Sequence, residues 1–320
     1  MSPKTTAIFQ LSLLALALGL LLLAVHPEPV SVPQNLDEDG IIIMEPHFLA
    51  VTIEARSAYV YDVLADKVLY EKDAELQWPL ASLTKLMSAL VASELVPNYM
   101  LVKITKDDLR EEGDTGLHPD EEWNINKLID YSLVVSSNDG MKAIASVAGS
   151  FAGSSATTTP EQAFIKKMNE KAHSLGLKET YFLNQSGLDE SNTLSGGYGS
   201  AKDVALLVDY ILKKNPHLLE ATSFKETNVS SSNASHDAVN TNKAILSIPN
   251  IIASKTGFTN LSGGNVVVAL NAGINHPIII SVLGSSYDGR FTDLTDLAEA
   301  TLTYLTSTST IQRHALKTAQ

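Results

Sequence analysis

The chain has 320 residues, 44% of them apolar, so it can bury a real core as one large domain or two small ones. Its formal charge of −13 argues against nucleic acid or an anionic membrane surface as partners. It has no cysteine, which excludes disulfides, a thiol nucleophile and any Cys-ligated metal. The eight histidines form no HxH or HExxH pair and no Gly-rich phosphate loop is present, so neither a metal nor a cofactor is expected.

Ala7 to Val25 is an uncharged apolar run that would span about 28 Å as a helix, close to a bilayer core. Lys4 precedes it. Glu28, Asp37, Glu38 and Asp39 follow it, with no Lys or Arg before Arg56. The positive-inside rule then places the N-terminus in the cytoplasm and the rest on the outer face. Residues 1–25 read as a transmembrane anchor or a signal segment. The length of the run, and the lack of a small-x-small site at its end, favour the anchor. Residues 26–46 read as a linker broken by Pro27, Pro29, Pro33 and Pro46, with Ile41–Ile43 a short strand. One folded domain is expected over 47–306, and 307–320 as a frayed tail.

Within the domain, 48–55, 57–63 and 67–72 read as strands, with Asp66 at a hairpin turn. Helical periodicity covers Ser82–Leu95, Ile125–Val135, Asp139–Gly149, Glu161–Leu175 and Ala201–Lys213. Residues 222–242 are polar, a loop or weak hairpin. A strand pattern starts at Lys255 and continues to Asn271, with Asn265–Asn271 and Pro277–Gly284 read as two strongly apolar strands, and a closing helix follows at Asp293–Leu305. Strands, helices, strands and a helix in that order predict an α+β fold whose late strands pair back with the early ones.

Three short motifs carry the chemistry. In Ser82-Leu83-Thr84-Lys85 a hydroxyl and an amine share one helical face, so the amine can serve as base if burial and a neighbouring cation keep it partly neutral. Leu86, Met87, Ala89 and Leu90 mark that helix as buried. Ser136-Ser137-Asn138 lies between two helical segments, where a hydroxyl and an amide can face a cleft. Lys255-Thr256-Gly257 opens a strand, with a cation for a carboxylate, a hydroxyl donor, and a glycine that lets a backbone come close. Each motif alone also fits a plain helix start, a turn or a strand edge. The ordered trio points to a serine acyl-transferase site. Ser231-Ser232-Asn233 repeats the second pattern but lacks flanking apolar helices. Asp107, Asp108, Glu111 and Glu112 read as a solvated charge run, Trp78 and Trp123 as packing residues, and His173 and His217 as surface residues.

The chain resembles the β-lactamase and penicillin-binding protein superfamily, and within it the D-alanyl-D-alanine carboxypeptidases of peptidase family S11. The segment WPLASLTKLMSAL (78–90) is similar to the nucleophile region of low-molecular-mass penicillin-binding proteins. MNEKAHSLGLKETYFLNQSGLD (168–189) resembles a stretch of the carboxypeptidases that class A β-lactamases lack. Ser200–Asp203, Asn240–Asn242 and Arg290–Asp293 fit the same pattern. The resemblance implies a transpeptidase-like α+β fold, an antiparallel sheet flanked by helices with a mostly helical subdomain. It implies Ser82 as the acylated nucleophile, Lys85 as its base, and Ser136 and Asn138 as the second catalytic element. Lys255, Thr256, Gly257 and Phe258 would bind substrate, with the N–H groups of Ser82 and Phe258 as the oxyanion hole. Arg290 would meet the substrate's terminal carboxylate. The implied partners are peptidoglycan stem peptides, β-lactam inhibitors, and the membrane through residues 7–25, at the cell envelope. A D,D-endopeptidase, a β-lactamase or a non-catalytic wall-binding protein would use the same cleft. The chain departs from the family at Ser137 and Ala253, where glycine is usual, and in the short segment between Lys85 and Ser136. The family's β-rich C-terminal domain and tail anchor are not seen after residue 305, so an N-terminal anchor is expected to replace that tether.

Overall fold

The late strands do pair back with the early ones. The computed structural model describes residues 48, 50–113, 115–153 and 157–318, with side chains through residue 307. The expected anchor or signal segment and the linker lie outside the described residues. Among the described residues no helix is long and apolar enough to cross a membrane.

Strands β1 (Ser57–Asp62) and β2 (Lys67–Lys72) form the first hairpin. A short three-stranded sheet and two short pairs lie along the chain: β3 (Trp78–Pro79) with β7 (Gly197–Gly199), which also pairs β6 (Tyr181–Phe182); β4 (Leu101–Lys103) with β5 (Glu122–Asn124); and β8 (Glu226–Ser230) with β9 (Ser235–Val239). The last strands are β10 (Ile251–Thr259), β11 (Gly263–Asn271) and β12 (Pro277–Ser285). They complete a five-stranded antiparallel sheet in the order β10-β11-β12-β1-β2.

Both faces of this sheet are covered, so its central strands read as continuous apolar runs, not as alternating ones. On β1, Tyr59 and Tyr61 face the larger core while Ala58 and Val60 face the smaller one. On β12, Ile279 and Leu283 face the larger core while Ile278, Ile280 and Val282 face the smaller. The larger core holds helices α1 (Thr84–Leu95), α2 (Ile125–Val134), α3 (Asn138–Phe151), α4 (Pro160–Ser174) and α5 (Ala201–Lys214). The smaller one is closed by α6 (Gly289–Thr318) through Phe291, Leu294, Leu297 and Ala298. Four helices start where a polar side chain caps the first free N–H groups: Asn124 for α2, Ser137 for α3, Thr159 for α4 and Ser200 for α5.

Several expectations need correction. Residues 50–56 form no strand, because Asp293 takes the N–H groups of Glu54 and Ala55 at 2.9 Å each. The pattern from Lys255 to Asn271 is two strands, reversed by a turn whose Thr259 and Ser262 bond each other's backbone N–H. The polar stretch at 222–242 contains the β8–β9 hairpin. The closing helix starts at Gly289 and continues through Thr318, so the segment read as a frayed tail is helical to that point. The acidic run is not uniformly solvated: Asp108 is buried and accepts from the Thr105 N–H and hydroxyl.

Candidate active site

The site lies where four chain segments meet: the start of α1, the α2–α3 junction, the loop after β6, and the open edge of β10. A 3-10 turn, Ala81–Leu83, leads into α1 and carries Ser82 half-exposed at its mouth. Ala81 sits at φ +47°, an uncommon region for a residue with a side chain. Packing fixes this turn tightly. A Cβ on Gly187 would lie 1.9 Å from the Ala81 carbonyl oxygen, and one on Gly257 would lie 2.9 Å from the Leu80 oxygen and 3.1 Å from the Ser82 nitrogen. Only glycine at 257 lets β10 come against the Ser82 turn.

Lys85, one helical turn on, is fully buried. Its Nζ contacts Ser82 Oγ at 2.7 Å, Asn138 Oδ1 at 2.7 Å and the Ser186 carbonyl at 2.9 Å. Burial first, then the charge of Lys255, hold its pKa well below the ordinary lysine range, with Glu111 pulling the other way. A neutral lysine has two N–H donors and one lone pair. Ser186 O can only accept, and Asn138 Oδ1 is the amide's accepting atom, so these two take both hydrogens. The lone pair then faces Ser82 Oγ, the arrangement a general base needs. The Asn138 amide is locked in this orientation because its Nδ2 donates to the Glu112 carbonyl at 2.6 Å.

Ser136 occupies the sharp junction between α2 and α3 at φ +63°. Its Oγ lies 2.9 Å from Lys255 Nζ, which also donates to the Thr256 carbonyl at 2.8 Å. Burial, then the charge of Arg290, push the Lys255 amine down to about 7. Ser137, in the motif's middle position, points away from the cleft. It caps α3 through the Gly140 N–H at 3.0 Å and pairs with the Thr115 hydroxyl at 2.7 Å. Thr256 Oγ1 meets Thr241 Oγ1 at 2.6 Å, which brings the 240–242 segment to the same edge.

Arg290 is 4% exposed and donates Nη1 to the Gly257 carbonyl at 2.6 Å. The rings of Tyr287 and Phe291 lie 4.7 Å from its guanidinium carbon and that of Phe258 at 5.8 Å. Asp293 is engaged with Glu54, Ala55 and Ser285 instead of with Arg290. The expected contact of Arg290 is a carboxylate of substrate; its partner in the fold is the strand itself. Past Phe258 the cleft opens into a cavity of about 640 Å³ whose lining includes Glu112, Asp189, Asn192 and Asn260.

All nine expected site residues therefore converge. Four contributors were not foreseen: the carbonyls of Ser186 and Glu112, the Thr241 hydroxyl, and the Glu111 carboxylate. Trp123 lies outside the cleft, buried and donating to Glu121 at 2.7 Å, while His173 and His217 are exposed. Ser231-Ser232-Asn233 is the exposed turn of the β8–β9 hairpin.

A family model described as D-alanyl-D-alanine carboxypeptidase, peptidase S11, matches residues 44–287. The chain belongs to this family. Among S11 relatives, it is 30% identical over 213 residues to D-alanyl-D-alanine carboxypeptidase DacF of Bacillus subtilis. That match covers 64% of this chain and 51% of DacF, so the chain spans about half of that relative's length. It is 33% identical over 217 residues to the D-alanyl-D-alanine endopeptidase of Haemophilus influenzae, covering 67% of this chain and 69% of that one. Ampicillin-bound penicillin-binding protein D2 of Listeria monocytogenes superposes with a TM-score of 0.63 at 25% identity, covering 78% of this chain and 98% of that structure. The α+β, transpeptidase-like fold expected of an S11 chain is the one observed.

Proposed function

We propose that this chain is a serine D-Ala-D-Ala carboxypeptidase that removes the terminal D-Ala of peptidoglycan stem peptides through an acyl-enzyme on Ser82. The observation that carries the reading is the Lys85 amine, buried, depressed in pKa and 2.7 Å from Ser82 Oγ, with Asn138 Oδ1 and the Ser186 carbonyl as acceptors for its hydrogens. Ser82 Oγ attacks the penultimate D-Ala carbonyl and passes its proton to Lys85. The oxyanion is held by the Ser82 and Phe258 N–H groups. When the tetrahedral centre collapses, Ser136 protonates the leaving amine, and Lys255, at 2.9 Å, resupplies its proton. The substrate carboxylate is held at the Lys255–Thr256–Thr241 end of β10. Water then hydrolyses the ester. The ampicillin-bound relative supports β-lactams as acylating inhibitors. The uncharged run at 7–25 supports placement at the cell envelope, as an anchor or as a signal segment.

Intact-mass spectrometry of the full chain with penicillin, then with a stem pentapeptide, tests the reading. A lasting penicilloyl adduct with D-Ala release is expected. Rapid loss of the adduct would identify a β-lactamase, and an adduct without peptide turnover a wall-binding protein. The 33% identity to an endopeptidase favours one further activity, so a crosslinked dimer is the third substrate. Cleavage of the dimer alone would replace carboxypeptidase with endopeptidase.

A further inference from the structure

The peptide bond between Gly257 and Phe258 faces two ways. Ser254 sends its N–H to Thr222 Oγ1 at 3.0 Å, away from β11. In an antiparallel strand the backbone groups of alternate residues share an edge, so those of Thr256 and Phe258 face the open side as well. The Thr256 carbonyl fits this, since it accepts from Lys255 at the cleft. Gly257, of opposite parity and paired with Asn265, turns its carbonyl towards β11. That carbonyl is the one Arg290 binds at 2.6 Å. One rigid peptide plane thus carries a guanidinium on its oxygen and, on its nitrogen, the N–H aimed past the Ser82 turn.

We propose that Arg290 is a positioning residue of the oxyanion hole, acting through the Gly257–Phe258 peptide from behind the strand. This rests on the acyl-enzyme reading above. A charged donor on a peptide oxygen draws electron density from the amide and strengthens the N–H as a donor, and hydrogen bonds in a chain polarise one another. It also adds to the ladder pairing with Asn265 in fixing the plane of that peptide. The setting suits such a role. Arg290 is 4% exposed, walled by Tyr287, Phe291 and Phe258, and its methylene stem runs under β11, where a Cβ on Gly264 would lie 3.1 Å from its Cδ. Its Nη1 is committed to the strand, and its Nε has no partner among the described residues. As Ser82 Oγ bonds to the carbonyl carbon, the π pair moves onto oxygen. The polarised Phe258 N–H meets that charge, so the benefit appears in the transition state and not in ground-state binding.

The test compares wild type, Arg290→Met and Arg290→Lys on two substrates: an acyl tripeptide ending in D-Ala-D-Ala, and an acyl-D-Ala thioester with no carboxylate. Arg290→Met is expected to slow acylation by both about 10–100-fold, somewhat less than deleting an oxyanion donor outright, with KM little changed. Arg290→Lys should recover part of the loss on both. The isotope-labelled ester carbonyl of the penicilloyl-enzyme should move to higher infrared frequency in the Met variant, reporting weaker hydrogen bonding to its oxygen. A loss confined to the free-acid peptide, or an unmoved carbonyl band, would overturn the inference and return Arg290 to direct carboxylate binding. If Arg290→Met fails to fold, the Lys variant decides: equal partial losses on both substrates support the inference, and loss on the acid alone refutes it. Absence of a wild-type adduct would overturn the functional reading itself and this inference with it.

Discussion

Gly257→Ala is the smallest change that would separate the two halves of the proposed oxyanion hole. The added methyl would stand 2.9 Å from the Leu80 oxygen, 3.1 Å from Ala81 Cβ and 3.1 Å from the Ser82 nitrogen. All three atoms belong to the short turn that carries Ser82, and none is the end of a flexible side chain. Ordinary contact begins near ~3.5 Å, so β10 and the turn must part by roughly half an ångström. Overpacking of this kind costs about 1–3 kcal/mol of stability. The catalytic effect should be larger. Oxyanion donors work at about 2.7–3.1 Å, and losing one lowers rates by about 10²–10³-fold. The variant is therefore expected to melt only a few degrees lower while its second-order rate of acylation by penicillin falls by about two orders of magnitude. Stopped-flow quenching or time-resolved intact mass gives the rate, and calorimetry gives the Tm. Wild-type acylation in a variant with an unchanged Tm would refute the close approach of β10 to Ser82.

Ser82→Ala should abolish the penicillin adduct and keep the Tm within a few degrees, since it truncates a half-exposed side chain; a surviving adduct would move the nucleophile elsewhere. Lys255 titrates near 7 in the fold and near its ordinary value when unfolded, so from about 7 upward the unfolded chain holds a proton that the folded one lacks. Stability must then rise with pH across that window, by up to ~1.4 kcal/mol per unit from this group. Lys255→Met should remove that slope and be relatively more stable at pH 6 than at pH 9, measured as paired melting temperatures; an unchanged slope would contradict the burial argument. Glu121 is 1% exposed and accepts from Trp123 at 2.7 Å and His236 at 3.0 Å, so Glu121→Ala, which leaves these buried donors unpaired, should cost about 1–3 kcal/mol on denaturant titration, while acylation at 25 °C persists. Thr115→Val removes the hydroxyl that meets Ser137 without touching the cap on Gly140. It should slow acylation several-fold by loosening the segment that orients Asn138, and a rate equal to wild type would show that the Glu112 carbonyl holds Asn138 unaided.

The helices were legible from apolar residues at helical spacing, and several also carry a capping residue at their start, as at Asn124, Thr159 and Ser200. The strands were legible where both faces are buried, as in β11 and β12. Residues 48–55 misled because their alternation looks like a ladder partner, whereas the amides of Glu54 and Ala55 are claimed by a single carboxylate more than two hundred residues away. Asn265–Asn271 read as a strand, but the turn that separates it from β10 was not located because it carries no glycine until Gly263. The site's side chains could be found because hydroxyl, amine and amide are chemically distinctive. The Ser186 and Glu112 carbonyls could not, since any residue supplies a carbonyl and only the fold decides where it points. Arg290 was visible as a cation near the strand end, but which atom it would bind depended on strand parity, which composition does not encode.

The contacts of Lys85 tie two distant segments to the turn that carries Ser82, three residues before it: Asn138 beyond α2 and Ser186 beyond α4. In an unfolded chain that amine is solvated and fully protonated at neutral pH, and Ser82 is an ordinary alcohol. On the proposed reading, reactivity would therefore arise only when the last of these segments docks. While it is being synthesised the polypeptide is chemically silent towards acyl donors, and a fluorescent penicillin would count finished molecules and ignore partly built ones. On the acyl-enzyme reading proposed above, labelling of Ser82 would thus be a conformational assay written into the chain.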